Sequence, residues 1–216
     1  MQTSPDPQPS THNLQPNGNP QPQETYNGQP ATYNTPKRCH WLGNDALYIK
    51  YHDEEWGKEV HDDKLFFEFL ILESAQAGLS WITILRRREG YRKAFANFEV
   101  QKVATFNEDD VARLLADEGI IRNKLKINAA IKNAQLFIAI QQEYGSFNNY
   151  LYGFMPDGKP IINHPEKSPV SSPESDAISK DMKKRGFKFF GTTICYAYMQ
   201  ATGMVNDHLP DCDFRG

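Results

Sequence analysis

A carboxylate at the end of an apolar helix is the first residue in this sequence that could do chemistry. Glu73 directly follows the nearly continuous apolar run 64–72, so we expect its side chain to be at least partly buried. A buried carboxylate must be paired, hydrogen-bonded or protonated, and perturbed carboxyls cluster at functional sites. The alternative is a glutamate that ends the helix and faces solvent, and the local pattern leaves both interpretations open.

Cysteine and histidine residues near both ends of the globular region could bind a metal. The four candidates are Cys39, His52, His208 and Cys212. The last two are separated by three residues, a chelate spacing that suits a tetrahedral soft metal, whereas the first two form a looser pair. Together they have the Cys2His2 composition of a closed structural zinc site, which would stabilise the domain rather than catalyse a reaction. His40 and His61 are rival ligands on sequence grounds.

The chain that must position these residues has the pattern of an all-α protein. Helical periodicity recurs along the sequence, and almost no alternating strand pattern is found. The predicted helices cover residues 64–72, 81–95 with a basic end, 108–115, 124–143, 147–154, about 175–185 and 192–201. The aromatic-rich segment 45–57 is expected to be a loop or a short helix, and its composition outside a clear period favours a site over plain core.

Composition divides the chain of 216 residues into two parts. Residues 1–36 are rich in Pro, Gln, Asn, Thr and Gly and contain only Asp6 and Glu24 as charged residues, which predicts a disordered tail. Residues 37–216 have the composition of one globular domain. The three cysteines are widely spaced, and no secretory signal or membrane-spanning run is found, so we expect a cytoplasmic protein in a reducing compartment. The formal net charge of −3 by itself disfavours a nucleic-acid binder.

Two predicted helices joined by a glycine-containing break could nevertheless bind phosphate. Gly119 lies in the break, and Arg122 and Lys124 follow it at the start of the second helix. Turn amides and a helix N-terminus can hold a phosphate, and nearby cations add attraction. An ordinary helix pair in a bundle is the alternative, which the spacing alone favours. The arginines at 86–88 are further cationic candidates, although they are interpreted first as a solvated helix face.

Seven blocks of the sequence, in order, closely resemble the DNA-3-methyladenine glycosylase I family. The blocks are Arg38-Cys39-x-Trp41, Tyr48-x-x-Tyr51-His52-Asp53-x-Glu55-Trp56-Gly57, Leu72-Glu73-x-x-Gln76-Ala77-Gly78-Leu79-Ser80-Trp81, Gly119-Ile120-Ile121-Arg122-Asn123, Lys184-Arg185-Gly186-Phe187-Lys188-Phe189, Gly191-Thr192-Thr193-Ile194-Cys195-Tyr196 and Val205-Asn206-Asp207-His208. The resemblance runs from about Arg38 to Cys212 and leaves only the N-terminal tail outside.

The resemblance implies a fold and a set of site residues. The fold would be the two-lobed, all-α helix-hairpin-helix DNA glycosylase fold, with a structural zinc site joining the two ends of the domain. The implied zinc ligands are Cys39, His52, His208 and Cys212. The implied pocket for the excised base is formed by Tyr48, Tyr51, Glu73 and Trp81. Residues 117–127 would be the DNA-binding hairpin.

The implied function is base excision repair of alkylated double-stranded DNA. Such an enzyme flips N3-methyladenine out of the duplex and hydrolyses its N-glycosidic bond, which releases free 3-methyladenine. Leu79, after Gly78, is suited to wedge into the gap that the base leaves, and Gln76 could contact the orphaned partner. Glu73 is the catalytic candidate. We expect a monofunctional enzyme without lyase activity, acting as a monomer and without a membrane partner.

Two other functions share most of these features. A zinc-stapled helical DNA-binding module would need the hairpin, the cations and the zinc ligands, but it would not need Glu73 among aromatic side chains. A glycosylase for another damaged base would need the same pocket with different selectivity. Release of a base from methylated DNA separates the three hypotheses.

Overall fold

The computed structural model describes residues 35–215. Residues Pro36–Gly216 form one compact unit. The expected disordered tail lies outside the described residues, apart from its last two positions, and stays a prediction. No helix in the described part of the chain is long and apolar enough to cross a membrane.

Helices make up most of the described chain. They are α1 (Ala46–Glu54), α2 (Asp63–Gln76), α3 (Trp81–Leu85), α4 (Arg88–Ala94), α5 (Val100–Val103), α6 (Glu108–Ala116), α7 (Lys124–Tyr144), α8 (Phe147–Tyr152), α9 (Pro173–Arg185) and α10 (Thr192–Ala201), with short 3-10 turns at His40–Leu42, Ala96–Phe98 and Pro156–Gly158. Two-residue strands, β1 (Ile161–Ile162) and β2 (Val205–Asn206), pair in parallel. Within residues 35–215 this is the only sheet, so the expected all-α class is confirmed.

Helix α2 is the central element of the core. Ten consecutive residues, 66–75, are buried because α3, α7, α8 and α10 all pack against this helix. The ring of Phe67 lies 5.3 Å from that of Phe137 on α7, and the Tyr198 hydroxyl on α10 donates to the Phe66 carbonyl at 3.1 Å. A helix covered on all sides also buries the polar residues in its sequence, and Glu68, Glu73 and Ser74 are all buried on α2.

The end of α2 differs from the sequence prediction. The helix was expected to stop at Leu72, and it continues for another turn to Gln76. Glu73 is therefore inside the helix rather than at its break. The prediction was wrong because the apolar run ends at Leu72, whereas the helix runs on towards Gly78, whose φ of +80° lies in the left-handed region where helices commonly end.

Capping residues set other helix ends. Asn107 caps α6 through a capping box, as expected, and Gly186 ends α9 in the left-handed conformation with φ of +105°. Helix α9 begins earlier than predicted because Ser172 is its N-cap and forms a capping box with Ser175.

The arginine run at 86–88 is not one solvated face. The side chain of Arg88 is only 14% exposed, and its guanidinium donates to Glu68 on α2 and to Glu55 just after α1, both at 2.6 Å. Glu68 is itself buried and also accepts from Arg92 at 3.1 Å. This ion network joins α1, α2 and α4, so Arg88 has a structural role that excludes it from a free cationic patch.

Helices α6 and α7 form a helical hairpin whose turn packs closely on α4. A Cβ added to Gly90 of α4 would lie 2.2 Å from the Gly119 carbonyl oxygen, so only glycine allows this approach. The Ile121 amide in the same turn donates to the Tyr91 hydroxyl at 3.2 Å. The hairpin is therefore fixed against the rest of the domain.

Candidate active site and metal centre

A cavity of about 380 Å³ lies beside the last turn of α2. All four residues expected to form the base pocket line it: Tyr48, Tyr51, Glu73 and Trp81. Gln76 lines it as well, together with Trp41, Trp56 and residues 167–170. Five tryptophan and tyrosine side chains thus line the cavity, and its charged groups are one carboxylate, Glu73, and one lysine, Lys167.

Helix α1 supplies one aromatic wall of the cavity. Asp45 caps the helix by accepting from the amides of Leu47 and Tyr48, each at 3.0 Å. Tyr48 and Tyr51 are three residues apart and therefore share one helix face. Their ring centroids are 6.5 Å apart, and the Tyr51 ring lies 5.3 Å from that of Trp81 on α3. Three electron-rich faces are held in a fixed arrangement.

Glu73 is a buried carboxyl without a protein partner. Glu73 is only 2% exposed. Among the described residues, neither its Oε2 atom nor Nε1 of Trp81 has a hydrogen-bond partner. Burial raises the pKa of Glu73 to about 8. Unsatisfied buried groups cost free energy, so a ligand that donates to this carboxyl and accepts from this indole would remove two penalties at once.

The raised pKa of Glu73 also has a consequence for stability. The carboxyl loses its proton near pH 4.5 in an ordinary environment and near pH 8 in the folded protein. As the pH rises, the carboxyl therefore ionises in the unfolded state before it ionises in the folded state. Its contribution to the free energy of unfolding is fully present below about pH 4.5 and is lost as the pH rises to 8. Glu73 therefore lowers the free energy of unfolding at neutral pH.

The turn between α2 and α3, residues 77–80, presents an apolar side chain to solvent next to the cavity. Gly78 has a φ of +80°, in the region that favours glycine, and nothing lies within 4 Å of the position of a Cβ there. Leu79 is 40% exposed, and its amide donates to the Gln76 carbonyl at 2.6 Å. A protruding leucine on a tight turn is available to contact another molecule.

The predicted metal ligands come from the two ends of the described chain and meet in one cluster. All four are buried, and their ligand atoms lie within 4.8 Å of one another: Cys39, His52, His208 and Cys212. The Sγ atom of Cys212 is 3.6 Å from Nε2 of His52 and 3.4 Å from Nδ1 of His208. The rivals are excluded from this cluster, since His40 is exposed at the cavity and His61 is exposed beside Glu59 and Asn148.

The surroundings of this cluster fit a divalent metal. The second ring nitrogens point outward, where Nδ1 of His52 donates to Asp53 at 2.8 Å and Nε2 of His208 donates to the Trp56 carbonyl at 3.0 Å. Arg38 in turn donates to Asp53 at 2.7 Å. Such outer partners orient histidine ligands in metal sites. Burial lowers the pKa of His208 to about 4, which leaves the neutral imidazole that a metal requires.

The buried thiol of Cys39 also favours a cation in this cluster. Burial raises the pKa of the Cys39 thiol to about 12, so the sulfur stays protonated in the protein alone. A bound divalent cation reverses this preference because it stabilises the thiolate directly. Four donors of this softness, with no carboxylate among them, can hold a metal in a closed site.

Known proteins are similar to this chain in sequence and fold. The family described as methyladenine glycosylase matches residues 41–216. The chain is 48% identical over 178 residues to DNA-3-methyladenine glycosylase 1 of Escherichia coli (strain K12), covering 82% of this chain and 95% of the relative. It is 44% identical over 178 residues to the DNA-3-methyladenine glycosylase of Haemophilus influenzae, covering 81% and 96%. This chain belongs to the methyladenine glycosylase family.

Solved structures of methyladenine glycosylases agree with this assignment. A crystal structure of 3-methyladenine DNA glycosylase I has a TM-score of 0.79 and 49% identity, and the match covers 82% of this chain and 98% of that one. The Staphylococcus aureus enzyme, studied for its recognition of 3-methyladenine, has a TM-score of 0.80 and 36% identity, with coverage of 83% and 96%.

The residues expected to contact DNA lie at two places in this methyladenine glycosylase. Gln76, Gly78 and Leu79 lie on the α2–α3 turn beside the cavity, as described above. Arg122 and Lys124 are exposed at the α6–α7 turn. Gly119 is in the same turn, but its amide already donates to Asp117 Oδ1 at 2.7 Å and is occupied within the protein.

Several residues of the site were missed by the sequence analysis. Trp41 and Trp56 line the cavity, with ring centroids 4.9 Å apart. Their aromatic-rich segment did indicate a site without assigning them a place in it. Residues 167–170 line the cavity from a loop that has no periodic pattern, so no sequence signal identified them. Lys126 was also missed, although its side chain contacts the end of α2.

We expect removal of the metal to destabilise the domain without unfolding it outright. His208→Ala should abolish binding of one metal ion per chain, measured by elemental analysis. A metal present at about 1,000 times its dissociation constant contributes about 4 kcal/mol, which corresponds to a loss of roughly 10 °C in Tm for a domain of this size. A chelator should lower the Tm of the unmodified protein by a similar amount.

The control for the metal experiment is Cys195→Ala. Cys195 is buried in α10 and is outside the cluster, so this variant should keep one metal ion per chain and its sensitivity to chelator. Equal metal content in His208→Ala and the unmodified protein would contradict the assignment of the cluster.

Proposed function

We propose that this protein is a DNA glycosylase that removes N3-methyladenine from alkylated double-stranded DNA. The observation that carries the proposal is the buried Glu73 carboxyl, with an unpartnered oxygen, in the wall of an aromatic cavity. Family membership supports the same function, since the relatives named above are 3-methyladenine DNA glycosylases.

The cavity has the properties needed to select a cationic base. N3-methylated adenine in DNA carries a positive charge, whereas unmodified adenine is neutral. The faces of Tyr48, Tyr51 and Trp81 attract a cationic ring through their quadrupoles. Glu73 ionises more readily beside a cation and can accept from the exocyclic amine of the base. A neutral adenine provides no charge to offset the burial of a carboxylate, so it binds less well.

The chemical step follows from the charge of the base. The bond between N9 of the base and C1′ of the sugar breaks, and its electron pair moves onto the base, which leaves as neutral 3-methyladenine. A water molecule adds to C1′ and loses a proton, leaving an abasic site. Because the leaving group is already activated, most of the rate enhancement is proposed to come from binding and electrostatics, with ionised Glu73 favouring the charged sugar of the transition state.

Access to the base requires that it leave the duplex. Leu79 is proposed to fill the gap in the base stack, with Gln76 beside it to contact the orphaned partner. The α6–α7 turn is proposed to hold the DNA backbone through Arg122, Lys124 and the N-terminus of α7. Gly119 is proposed to serve the shape of this turn, because its amide is engaged with Asp117.

The metal is proposed to be zinc in a structural role. A Cys2His2 donor set matches the preference of zinc, and four protein donors leave no position for water or substrate. The metal would keep His52 and Cys212 together, and with them the start and end of the globular region. No step of the proposed reaction involves the metal.

The decisive experiment is release of base from methylated DNA. Full-length protein is incubated with duplex DNA treated with a methylating agent, and the released bases are identified by chromatography. We expect 3-methyladenine to be released and the DNA strand to stay intact at the abasic site. Release of a different base would indicate a glycosylase of other specificity, binding without release would indicate a DNA-binding module, and strand cleavage would contradict a monofunctional enzyme.

Glu73→Gln should reduce excision while leaving the fold intact. The amide has the shape of the carboxyl but no negative charge, and hydrogen bonds to charged groups contribute about 1.5–3 kcal/mol, so kcat/KM for 3-methyladenine should fall about 10- to 100-fold. The matched control is Glu54→Gln, which removes an exposed carboxylate from α1 and should keep the normal rate. A rate for Glu73→Gln within twofold of the unmodified enzyme would refute the role of the charge.

The pH dependence of excision should follow the ionisation of Glu73. The pKa of about 8 means that the free enzyme holds this carboxyl protonated below that pH, and the cationic base requires the carboxylate. Since kcat/KM reports ionisations of the free enzyme, it should rise about tenfold per pH unit below 8 and level off above it. Spontaneous release is subtracted at each pH, and Glu73→Gln should lose this rise. A flat profile in the unmodified enzyme would contradict the assignment.

A further inference from the structure

Lys126 connects the two regions that are proposed to contact DNA. It lies in the first turn of α7, directly after the α6–α7 turn, and its Nζ atom donates to the carbonyls of Ala75 and Ala77, both at 2.7 Å. Those carbonyls are at the C-terminal end of α2 and at the start of the α2–α3 turn. One ammonium group therefore ties the hairpin to the turn that carries Leu79.

The hydrogen bonds of Lys126 stabilise the contact between α7 and the end of α2. The last carbonyls of a helix have no intrahelical donor, and a cation there is favoured by the helix dipole. Lys126 satisfies two such carbonyls with charge-assisted hydrogen bonds, which are stronger than neutral ones. Its own position is fixed in turn, because Asn123 caps α7 by accepting from the Lys126 amide at 3.1 Å.

Lys124 provides a contrast two residues earlier on the same helix. It is exposed, whereas Lys126 is half-buried, and burial lowers the pKa of Lys126. The stem of Lys126 passes a small apolar space lined by Ile71, Tyr91 and Ile127. The two lysines look alike in the sequence, but only Lys124 is free to meet a phosphate.

We propose that Lys126 is a positioning residue that sets the α2–α3 turn, and with it Leu79, relative to DNA bound at the α6–α7 hairpin. This inference rests on the proposed function and deepens it. Binding of the backbone at the hairpin and entry of Leu79 into the base stack are then mechanically linked through one side chain. In this proposal Lys126 itself contacts neither the flipped base nor the DNA backbone.

The test compares Lys126→Met with Lys124→Met on a duplex that contains a stable abasic-site analogue with 2-aminopurine beside it. The fluorescence of 2-aminopurine reports unstacking when Leu79 enters the duplex. At saturating protein, Lys126→Met should lose at least half of the fluorescence change, and Lys124→Met should keep it. In excision assays, Lys126→Met should lower kcat at least tenfold, whereas Lys124→Met should act mainly through KM.

Salt dependence separates positioning from backbone contact. A lysine that neutralises a phosphate contributes about 0.9 to the slope of log K against log salt concentration, so Lys124→Met should reduce the slope by about one. Lys126→Met should leave the slope unchanged. A slope reduced by about one in Lys126→Met, with a normal 2-aminopurine signal, would show that Lys126 is a phosphate contact and overturn the proposal. Normal values in both measurements would overturn it as well.

Two further variants guard against loss of the fold. Lys126→Arg keeps a charged donor and should restore most of the fluorescence change, and Lys126→Gln replaces Lys126→Met if the latter does not fold. Binding of free 3-methyladenine, followed by tryptophan fluorescence, should stay normal in every folded variant. The DNA-binding measurements do not require base release, so failure of the unmodified protein to release a base would refute the proposed function separately from the role of Lys126.

Discussion

Helix α1 connects the cavity to the Cys/His cluster, because its residues contribute to both. One side carries Tyr48 and Tyr51, which form a wall of the cavity, while His52, the next residue, belongs to the Cys/His cluster. Trp56, just beyond the helix, lines the cavity and accepts from His208. The cluster therefore does more than join the ends of the domain. It fixes the helix that presents the aromatic faces, although it lies outside the cavity itself.

Two buried glutamates on α2 illustrate how the same residue type serves structure or function. Glu68 is 1% exposed and is bonded to Arg88 and Arg92, so its charge is compensated within the protein. Glu73, five residues later and equally buried, has an oxygen without a partner. A fold that can supply guanidinium groups to one carboxylate could have evolved to supply one to the other. The uncompensated carboxyl of Glu73 is the group that the proposed function assigns to a bound base.

The sequence allowed a large part of this site to be predicted. The helical periodicity predicted the class, whereas the carboxylate after an apolar run and the His/Cys spacing made Glu73 and the four cluster residues candidates and left alternatives open. The family resemblance supplied the link between Glu73 and the tyrosines, since no periodic pattern brings α1 beside α2. The predicted end of α2 is one turn too early, because the end of an apolar run is not the end of the helix that contains it.

Other features could not be predicted because they depend on tertiary contacts. Residues 167–170 line the cavity from an irregular loop, and Arg88 differs from Arg86 only in what the fold places around it. Lys126 and Lys124 differ in the same way. The sequence identifies cations near a hairpin. Packing decides whether such a cation binds carbonyls within the protein or stays exposed to solvent.

The unpartnered Glu73 carboxyl has a consequence for turnover as well as for selection. In the proposed reaction the positive charge that draws the base into the cavity disappears when the glycosidic bond breaks. The product is neutral, and the buried carboxylate that faced a cation then lies where burial favours its protonated form. Glu73 thus takes up a proton as its attraction for the base ends. In this proposal, the burial of Glu73 that favours binding of the cationic base also weakens binding of the neutral product, and the carboxyl returns to its protonated starting state.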